Sequence, residues 1–435
     1  MSFFDFFKNQ SPKNEISIPD DDKIWIEEHF IWLGELFGFD QIKENKLYNI
    51  DSFLSNKNQL EFERTFRTIC EVYGINADDI TIRIFDDLES NNWQTLPLGV
   101  TSSNAGEYSH TFVDRKKQFN IKLTKSTMQH PERLVGVLAH ELAHVKLLGG
   151  NLIDPNYPNM EPLTDLFVIF FGFGIFTANI ALRYSNHQMN KIGYLTNECI
   201  AYALALRTWI TQDNKTEISY HLESNTKNLY KEYLKYIFHT KDVILTQEKI
   251  QLIELKNASV KQAEKGFNSE DYRAVIEANN ELIKLGDKSA GVYNERGYAY
   301  MMLGDYEMAL KDFNAGIQAD HFFDSLFSNR GLCYLKMKNY DQALIDLDSA
   351  YQMNPQNQWT LRSLGMYYLE TKSLGQAEVF LSEANAIDPS VQFMSYSWGK
   401  FYLANGDKDK AIEHFEESAA LGQKEGIEAL KTLNA

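Results

Sequence analysis

Residues Leu138–Gly150 read L-A-H-E-L-A-H-V-K-L-L-G-G. The stretch contains His140, Glu141 and His144 in an H-E-x-x-H arrangement. Residues four apart share one face of a helix, so both imidazoles can address the same point. Two neutral imidazoles at that spacing supply half of a tetrahedral zinc site. Glu141, one residue after the first histidine, can reach a water at the metal without being a ligand. Around them, Leu134, Val137, Leu138, Leu142, Val145 and Leu148 form an apolar helical stripe, and Gly149-Gly150 closes the helix.

Outward from this helix, the periods of the chain change twice. Residues 20–38 begin with three aspartates and continue as an amphipathic helix, the acids suiting the positive end of the helix dipole. Gln59–Tyr73 repeats the helical pattern through Phe62, Phe66, Ile69 and Val72. Ile80–Phe85 alternates as a half-buried strand does, and Glu107–Val113 and Gln118–Leu123 alternate on either side of a charged turn, Asp114–Lys117. Pro131 opens the helix that carries the histidines. This order predicts an α+β domain with a small antiparallel sheet. Phe3, Phe4, Phe6 and Phe7 read as a packed terminal turn.

Beyond Gly150, a loop leads to Glu161-Pro-Leu-Thr-Asp165 and then to Leu166–Leu182, 17 residues without a charge. That length is at the lower limit for crossing a bilayer. The two glycines, threonine and asparagine within it favour a helix buried all round in a domain core. Ser185–Lys191 is polar and predicts a surface break, Gly193–Trp209 a further helix, and residues 213–250 a charged helical bridge.

The net charge of -17 excludes a nucleic-acid binder that works by a basic surface, and disfavours docking on an anionic membrane. Cys70, Cys199 and Cys333 are far apart, odd in number and without Cys-x-x-Cys spacing, which points to a reducing compartment. The first residues lack a basic segment followed by a long apolar run. These features together predict a cytoplasmic protein.

From about residue 253 the character changes again. Residues 290–425 fall into four consecutive units of 34 residues, starting at Ala290, Asp324, Gln358 and Gln392. Gly297, Gly331, Gly365 and Gly399 hold the eighth position, Tyr300, Tyr334, Tyr368 and Tyr402 the eleventh, and Ala309, Ala343, Ala377 and Ala411 the twentieth. This spacing and residue choice resemble the tetratricopeptide repeat, in which small residues let two antiparallel helices approach and an aromatic fills the space between them. A weaker first unit covers 253–289, with Tyr272 and Ala274 near the expected places, and Gly426–Ala435 begins a capping helix. The resemblance implies an α-α superhelical solenoid over residues 251–435, preceded by an N-terminal helical segment, 1–74, and a domain over 75–250.

Over roughly residues 75–210 the chain resembles the gluzincin metallopeptidases, the thermolysin-like class. In that class H-E-x-x-H is followed, after a loop, by a glutamate ligand and four residues later by an aspartate. Here Glu161 lies 17 residues beyond His144, and Asp165 four beyond Glu161. The resemblance implies a zincin-like fold, one Zn2+ per chain held by His140, His144 and Glu161, and Asp165 hydrogen-bonded to the non-ligating nitrogen of His140. It implies peptide-bond hydrolysis by a zinc-bound water with Glu141 as general base. Pro162 departs from the pattern, since it places Glu161 in the first turn of its helix. Glu198 is the alternative third ligand, and Tyr202 on its face is a candidate to hydrogen-bond an oxyanion or else a half-buried packing residue. His110, His130 and His187 read as ordinary core or surface groups.

Two functions follow. In the first, a zinc metallopeptidase acts on a protein or peptide substrate, and the repeats recruit substrate or a regulatory protein. In the second, a non-catalytic scaffold with a structural or degenerate zinc site acts through its repeats alone. Asn294, Arg296, Asn329, Arg330 and Arg362 fall on first helices of the repeats, where they are candidates to hold an acidic peptide or a C-terminal carboxylate.

Overall fold

The computed structural model describes residues 16–44, 47–54, 60–86, 101–102, 106–113, 116–184, 195–212, 215–240 and 242–433. Phe3, Phe4, Phe6, Phe7, the turn residues Asp114 and Arg115, and Ser185–Lys191 with His187 lie outside the described residues. The chain divides into two compact units, residues 1–254 and 255–435.

The first unit is built on a run of aromatic and aliphatic side chains. Helix α1 (Asp20–Phe37) buries Ile26, Phe30 and Leu33, and α2 (Phe39–Glu44) buries Phe39 and Ile42. Helix α3 (Phe62–Tyr73) adds Phe66, Ile69, Cys70 and Tyr73. These residues belong to the same core as the histidine-bearing helix, so residues 18–73 are not the separate segment that the sequence suggested. The reason is the next stretch of chain, which needs covering on every side.

Leu166–Leu182 is two helices rather than one. Helix α6 (Met160–Phe170) ends at Phe171-Gly172-Phe173, where Gly172 has φ 98, and α7 (Gly174–Tyr184) follows. A positive φ of that size suits glycine and stops the helix. Leu166–Phe171 and Phe173 are all buried. Phe30 meets Phe170 edge-on at 5.5 Å, Tyr73 meets Phe167 at 4.9 Å, and Tyr48 stacks on Phe173 at 4.6 Å. Each such ring contributes about 2–3 kcal/mol when fully buried, which is why the N-terminal helices close over this stretch. No helix among the described residues is long and apolar enough to cross a membrane.

The sheet has four strands, β1 (Ile80–Phe85), β2 (Thr101–Ser102), β3 (Gly106–Val113) and β4 (Lys116–Thr124), in the order β1-β4-β3-β2. β3 and β4 form the expected hairpin, with Tyr108 opposite Ile121. β1, however, runs parallel to β4, with Ile80 opposite Phe119 and Phe85 opposite Thr124. The sheet is therefore mixed and not antiparallel as expected. A parallel pairing needs a long return connection, and the residues between β1 and β4 supply it. Tyr108, Ile121 and Leu123 are buried, and β3 packs on α5 (Pro131–His144), which follows the short α4 (Lys125–Gln129).

α5 begins with Pro131, whose missing N–H costs nothing in a first turn. It continues past His144 into a π-helical turn, Val145–Gly149. Lys117 Nζ donates to the carbonyl of Gly149 at 2.9 Å, and a Cβ at Gly149 would meet the Phe119 ring at 2.6 Å. The far end of α5 is thus fixed on β4. Helices α8 (Asn197–Thr211), α9 (Lys215–His221) and α10 (Ser224–His239) complete this unit, and α11 (Gln247–Asn268) contains the division between the units.

The second unit is a series of antiparallel helix pairs. After α11 and α12 (Tyr272–Lys284) come α13 (Ala290–Met302) with α14 (Tyr306–Ala319), α15 (Asp324–Lys336) with α16 (Tyr340–Met353), and α17 (Gln358–Glu370) with α18 (Leu374–Ile387). α19 (Met394–Ala404) with α20 (Lys408–Ala420) and the last helix, α21 (Lys424–Leu433), follow. The repeated glycine has one reason throughout. A Cβ would lie 2.8 Å from Phe313 at Gly297, 2.8 Å from Leu347 at Gly331, 2.7 Å from Leu381 at Gly365 and 2.6 Å from Phe415 at Gly399. The repeated alanines are fully buried. In the first pair Val275, not Ala274, occupies the buried alanine position. Successive first helices pack on one another, whereas successive second helices make no comparable contact. The array therefore curves with its first helices on the inner side.

Candidate metal centre

Two helices build the site. α5 supplies His140 and His144 from one face, one turn apart. α6 supplies Glu161, Thr164 and Asp165, which also share a face by their spacing of three and four. Pro162 is accommodated because it sits in the first turn of α6, where its absent N–H has no intrahelical acceptor to lose. Leu163, the next residue, donates to the carbonyl of Asn159 at 3.0 Å and starts the hydrogen-bond ladder.

The Nε2 atoms of the two histidines lie 3.2 Å apart. Oε2 of Glu161 is 3.0 Å from His140 Nε2 and 3.5 Å from His144 Nε2. A tetrahedral zinc with bonds of about 2.0–2.1 Å holds neighbouring donor atoms about 3.3 Å apart, so the three atoms fit three corners of such a site. Among the described residues this is the group of histidine, cysteine and carboxylate side chains placed to hold a metal ion. Glu198, at the start of α8, is not in it.

The other ring nitrogens are held as well. Asp165 Oδ1 lies 3.1 Å from Nδ1 of His140, and its Oδ2 accepts from the N–H of Leu195 at 3.3 Å. Thr164 Oγ1 donates to the carbonyl of Met160 at 2.9 Å and lies 3.3 Å from Nδ1 of His144. A hydroxyl has one proton, so Thr164 accepts from the Nδ1–H of His144. Both imidazoles thereby keep their Nε2 lone pairs for the common point. Thr164 was not anticipated, although it sits one turn from Glu161 beside Asp165.

The charges are strongly coupled. Burial lowers the pKa of His140, but the Asp165 and Glu161 carboxylates outweigh it and hold the ring well above its ordinary value. Burial lowers His144, and Glu161 offsets this only in part. Burial raises Glu161, yet the two histidines bring it well below the usual carboxylate range. A metal ion replaces the proton of such a cluster, because its ligands must be unprotonated. Glu141 is buried on α5 between the histidines. The ring of Tyr108 from β3 lies nearly parallel to that of His144 at 6.2 Å.

Of the two readings of Tyr202, packing and an oxyanion contact, the structure favours packing. It is fully buried in α8, and its hydroxyl donates to Oε1 of Glu27 on α1 at 2.6 Å. Burial raises the pKa of Glu27, opposed by Tyr202, by the N–H groups of Ile244 and Leu245, and by Lys23. A buried carboxylate needs such donors, so Tyr202 is committed to Glu27 and not to an oxyanion.

The repeat residues also divide. Arg296 grips Asp312 with two bonds, from Nε at 2.8 Å and Nη2 at 2.7 Å, and gives Nη1 to Asn280 at 2.6 Å. Arg330 does the same with Asp346, at 2.7 and 2.7 Å, and with Asn314 at 2.6 Å. Asn329 donates to Asn294 at 2.9 Å across neighbouring first helices. Arg296 and Arg330 thus spend their guanidinium groups within the array, and Asn294 and Asn329 are bonded to each other. Arg362 is buried without such a partner.

The profile of the tetratricopeptide repeat family matches residues 290–320 and 325–357. Residues 290–357 are tetratricopeptide repeats. A tetratricopeptide repeat protein of Thermus thermophilus is similar in structure at 16% identity, over 38% of this chain and 89% of that one, with a TM-score of 0.35. MamA residues from 41 onward from Desulfovibrio magneticus give 19% identity, 39% and 96% coverage and a TM-score of 0.30. PilF of Pseudomonas aeruginosa gives 13%, 39% and 78%, and 0.32. No curated protein matches the chain. The tetratricopeptide match lies outside residues 75–210, so the gluzincin resemblance there rests on the quoted residues alone.

Proposed function

We propose that the first unit is a zinc-dependent hydrolase of peptide bonds and that the tetratricopeptide array brings it a protein or peptide. The observation that supports this most is the convergence of His140 Nε2, His144 Nε2 and Glu161 Oε2 within 3.0–3.5 Å, with Asp165 and Thr164 behind the rings. Three protein donors leave one position of a tetrahedral ion for water or substrate, as catalytic sites do, whereas structural zinc sites take four. Zinc bound there supplies Lewis acidity, polarising a carbonyl and making a water acidic near neutral pH. Glu141 accepts the proton of the attacking water and passes it to the leaving amine. Asp165 and Thr164 hold the two rings against rotation.

The second reading is a non-catalytic repeat scaffold whose zinc is structural. The family match favours it, because that match lies wholly within the interaction array. One experiment separates the two. Purified protein is analysed for metal, and the cleavage products of a cell extract are compared between the wild-type chain and Glu141→Gln. The peptidase reading expects about one zinc per chain, retained in Glu141→Gln, with cleavage lost. Zinc in both without any cleavage difference leaves the scaffold, and no metal in either removes the hydrolase.

A further inference from the structure

The unit that begins at Gln392 departs from its sisters in its first turn. α13, α15 and α17 start at the first position of their units, Ala290, Asp324 and Gln358, whereas α19 starts at the third, Met394. The residues left out are Gln392 and Phe393. Before α17, Asn357 Oδ1 accepts from the N–H groups of Trp359 and Thr360. The equivalent residue here is Val391, which has no side-chain oxygen to cap a helix and is buried instead. The N–H of Met394 turns back to the carbonyl of Val391 at 3.0 Å, and Phe393 takes φ 64. Glu270, Lys338 and Lys372 are left-handed too, but each lies just past a first helix, where the chain turns into its second. A bulky aromatic residue in that conformation at a helix start is strained.

The displaced residues make two contacts that hold them there. The Phe393 ring lies 5.7 Å from the guanidinium of Arg362 on α17. The Tyr298 hydroxyl on α13 donates to Oε1 of Gln392 at 3.5 Å, joining residues 94 positions apart. Tyr298 is fixed on its own side by the rings of Phe267 and Tyr272, at 6.1 and 6.3 Å. The bridge passes over two whole units, those beginning at Asp324 and Gln358, on the inner side of the curve. Winding Gln392 and Phe393 into α19, as their counterparts are wound in the sister units, reverses the sign of φ at Phe393 and redirects both side chains. The bridge and a complete first turn of α19 therefore exclude one another.

We propose that Gln392 and Phe393 are a latch on the array. Latched, they join the unit of Ala290 to the unit of Gln392 and close the inner side to an extended chain. Released, they complete the first turn of α19 and the array opens. Release relieves the backbone strain at Phe393 while giving up one hydrogen bond and one ring contact, so the two states oppose each other closely. What the latch admits rests on the reading of the array as the receiver of a protein or peptide; the latch itself does not.

Spin labels on Lys311→Cys and Glu413→Cys, exposed positions of α14 and α20, read the separation of the two units in the full chain, whose own described cysteines are buried. Tyr298→Phe and Gln392→Ala should each move the label distance to a longer value, and the double variant no further than either alone, since both remove one bond. In the released state the N–H groups of Ser395 and Tyr396, which lie in the unpaired first turn of α19, gain Val391 and Gln392 as helical acceptors. Their hydrogen exchange should then slow at least about tenfold in Gln392→Ala. The latch is overturned by unchanged distances, by a shift in only one single variant, or by a double variant that moves further than either. Exchange at Ser395 and Tyr396 that is unchanged or faster overturns it as well, because the turn then does not wind. No metal or peptide enters either measurement, so loss of the hydrolase reading would leave both outcomes as they stand.

Discussion

Asp165 touches two things at once, the Nδ1 of His140 through one oxygen and the N–H of Leu195 through the other. Replacing it by Asn removes a charge from His140 while keeping the shape, and zinc affinity should fall by about 10–100-fold, read by competition with a chromophoric chelator. Asp312 poses the opposite case. Its carboxylate is buried against Arg296, so Asp312→Ala should cost about 3–5 kcal/mol in urea unfolding, while a double replacement of both by apolar residues should cost much less. At this scale the sequence was legible where residues fall on one helix face. His140, His144 and the pair Glu161 and Asp165 could be assembled from spacing. Thr164 was equally legible by spacing, but a threonine carries no signal of its own. For Tyr202 the sequence leaves packing and an oxyanion contact both open, because its partner, Glu27, lies 175 positions away and burial cannot be read from one helix.

The elements were legible where a period repeats and illegible where pairing decides. The alternation of Ile80–Phe85 identified a strand but not its neighbour, and parallel contact with β4 depends on a return path that alternation does not encode. The break at Gly172 divides a run whose hydropathy is continuous. Within the array, a residue just past each first helix is left-handed: Gly304 and Gly406 at φ 83, but Glu270 at φ 54 and Lys338 and Lys372 at φ 60. The left-handed conformation costs a side-chain-bearing residue about 1–2 kcal/mol. Gly304→Ala should therefore destabilise the array by about that much, and Lys338→Gly should stabilise it by about 0.5–1 kcal/mol after the entropy of the added glycine. Denaturant unfolding of the two variants gives both signs.

At the scale of the molecule, all three candidate ligands lie within residues 140–161, inside the first of two compact units. Calorimetric unfolding should show two transitions, and chelation of zinc should lower only one of them, the shift growing with chelator concentration. A single transition that moves as a whole would show that the units unfold together. The array carries a consequence of another kind. Each glycine meets a side chain sixteen residues later within its own unit, from Gly297 and Phe313 to Gly399 and Phe415. Loss of residues 324–357 would join Phe323 to Gln358 and leave every surviving glycine opposite its own partner. Loss of half that length would separate a first helix from its second. Unequal exchange within the coding sequence can therefore add or remove whole repeats, and so change what the array reaches for, while inheriting the histidine helix unaltered.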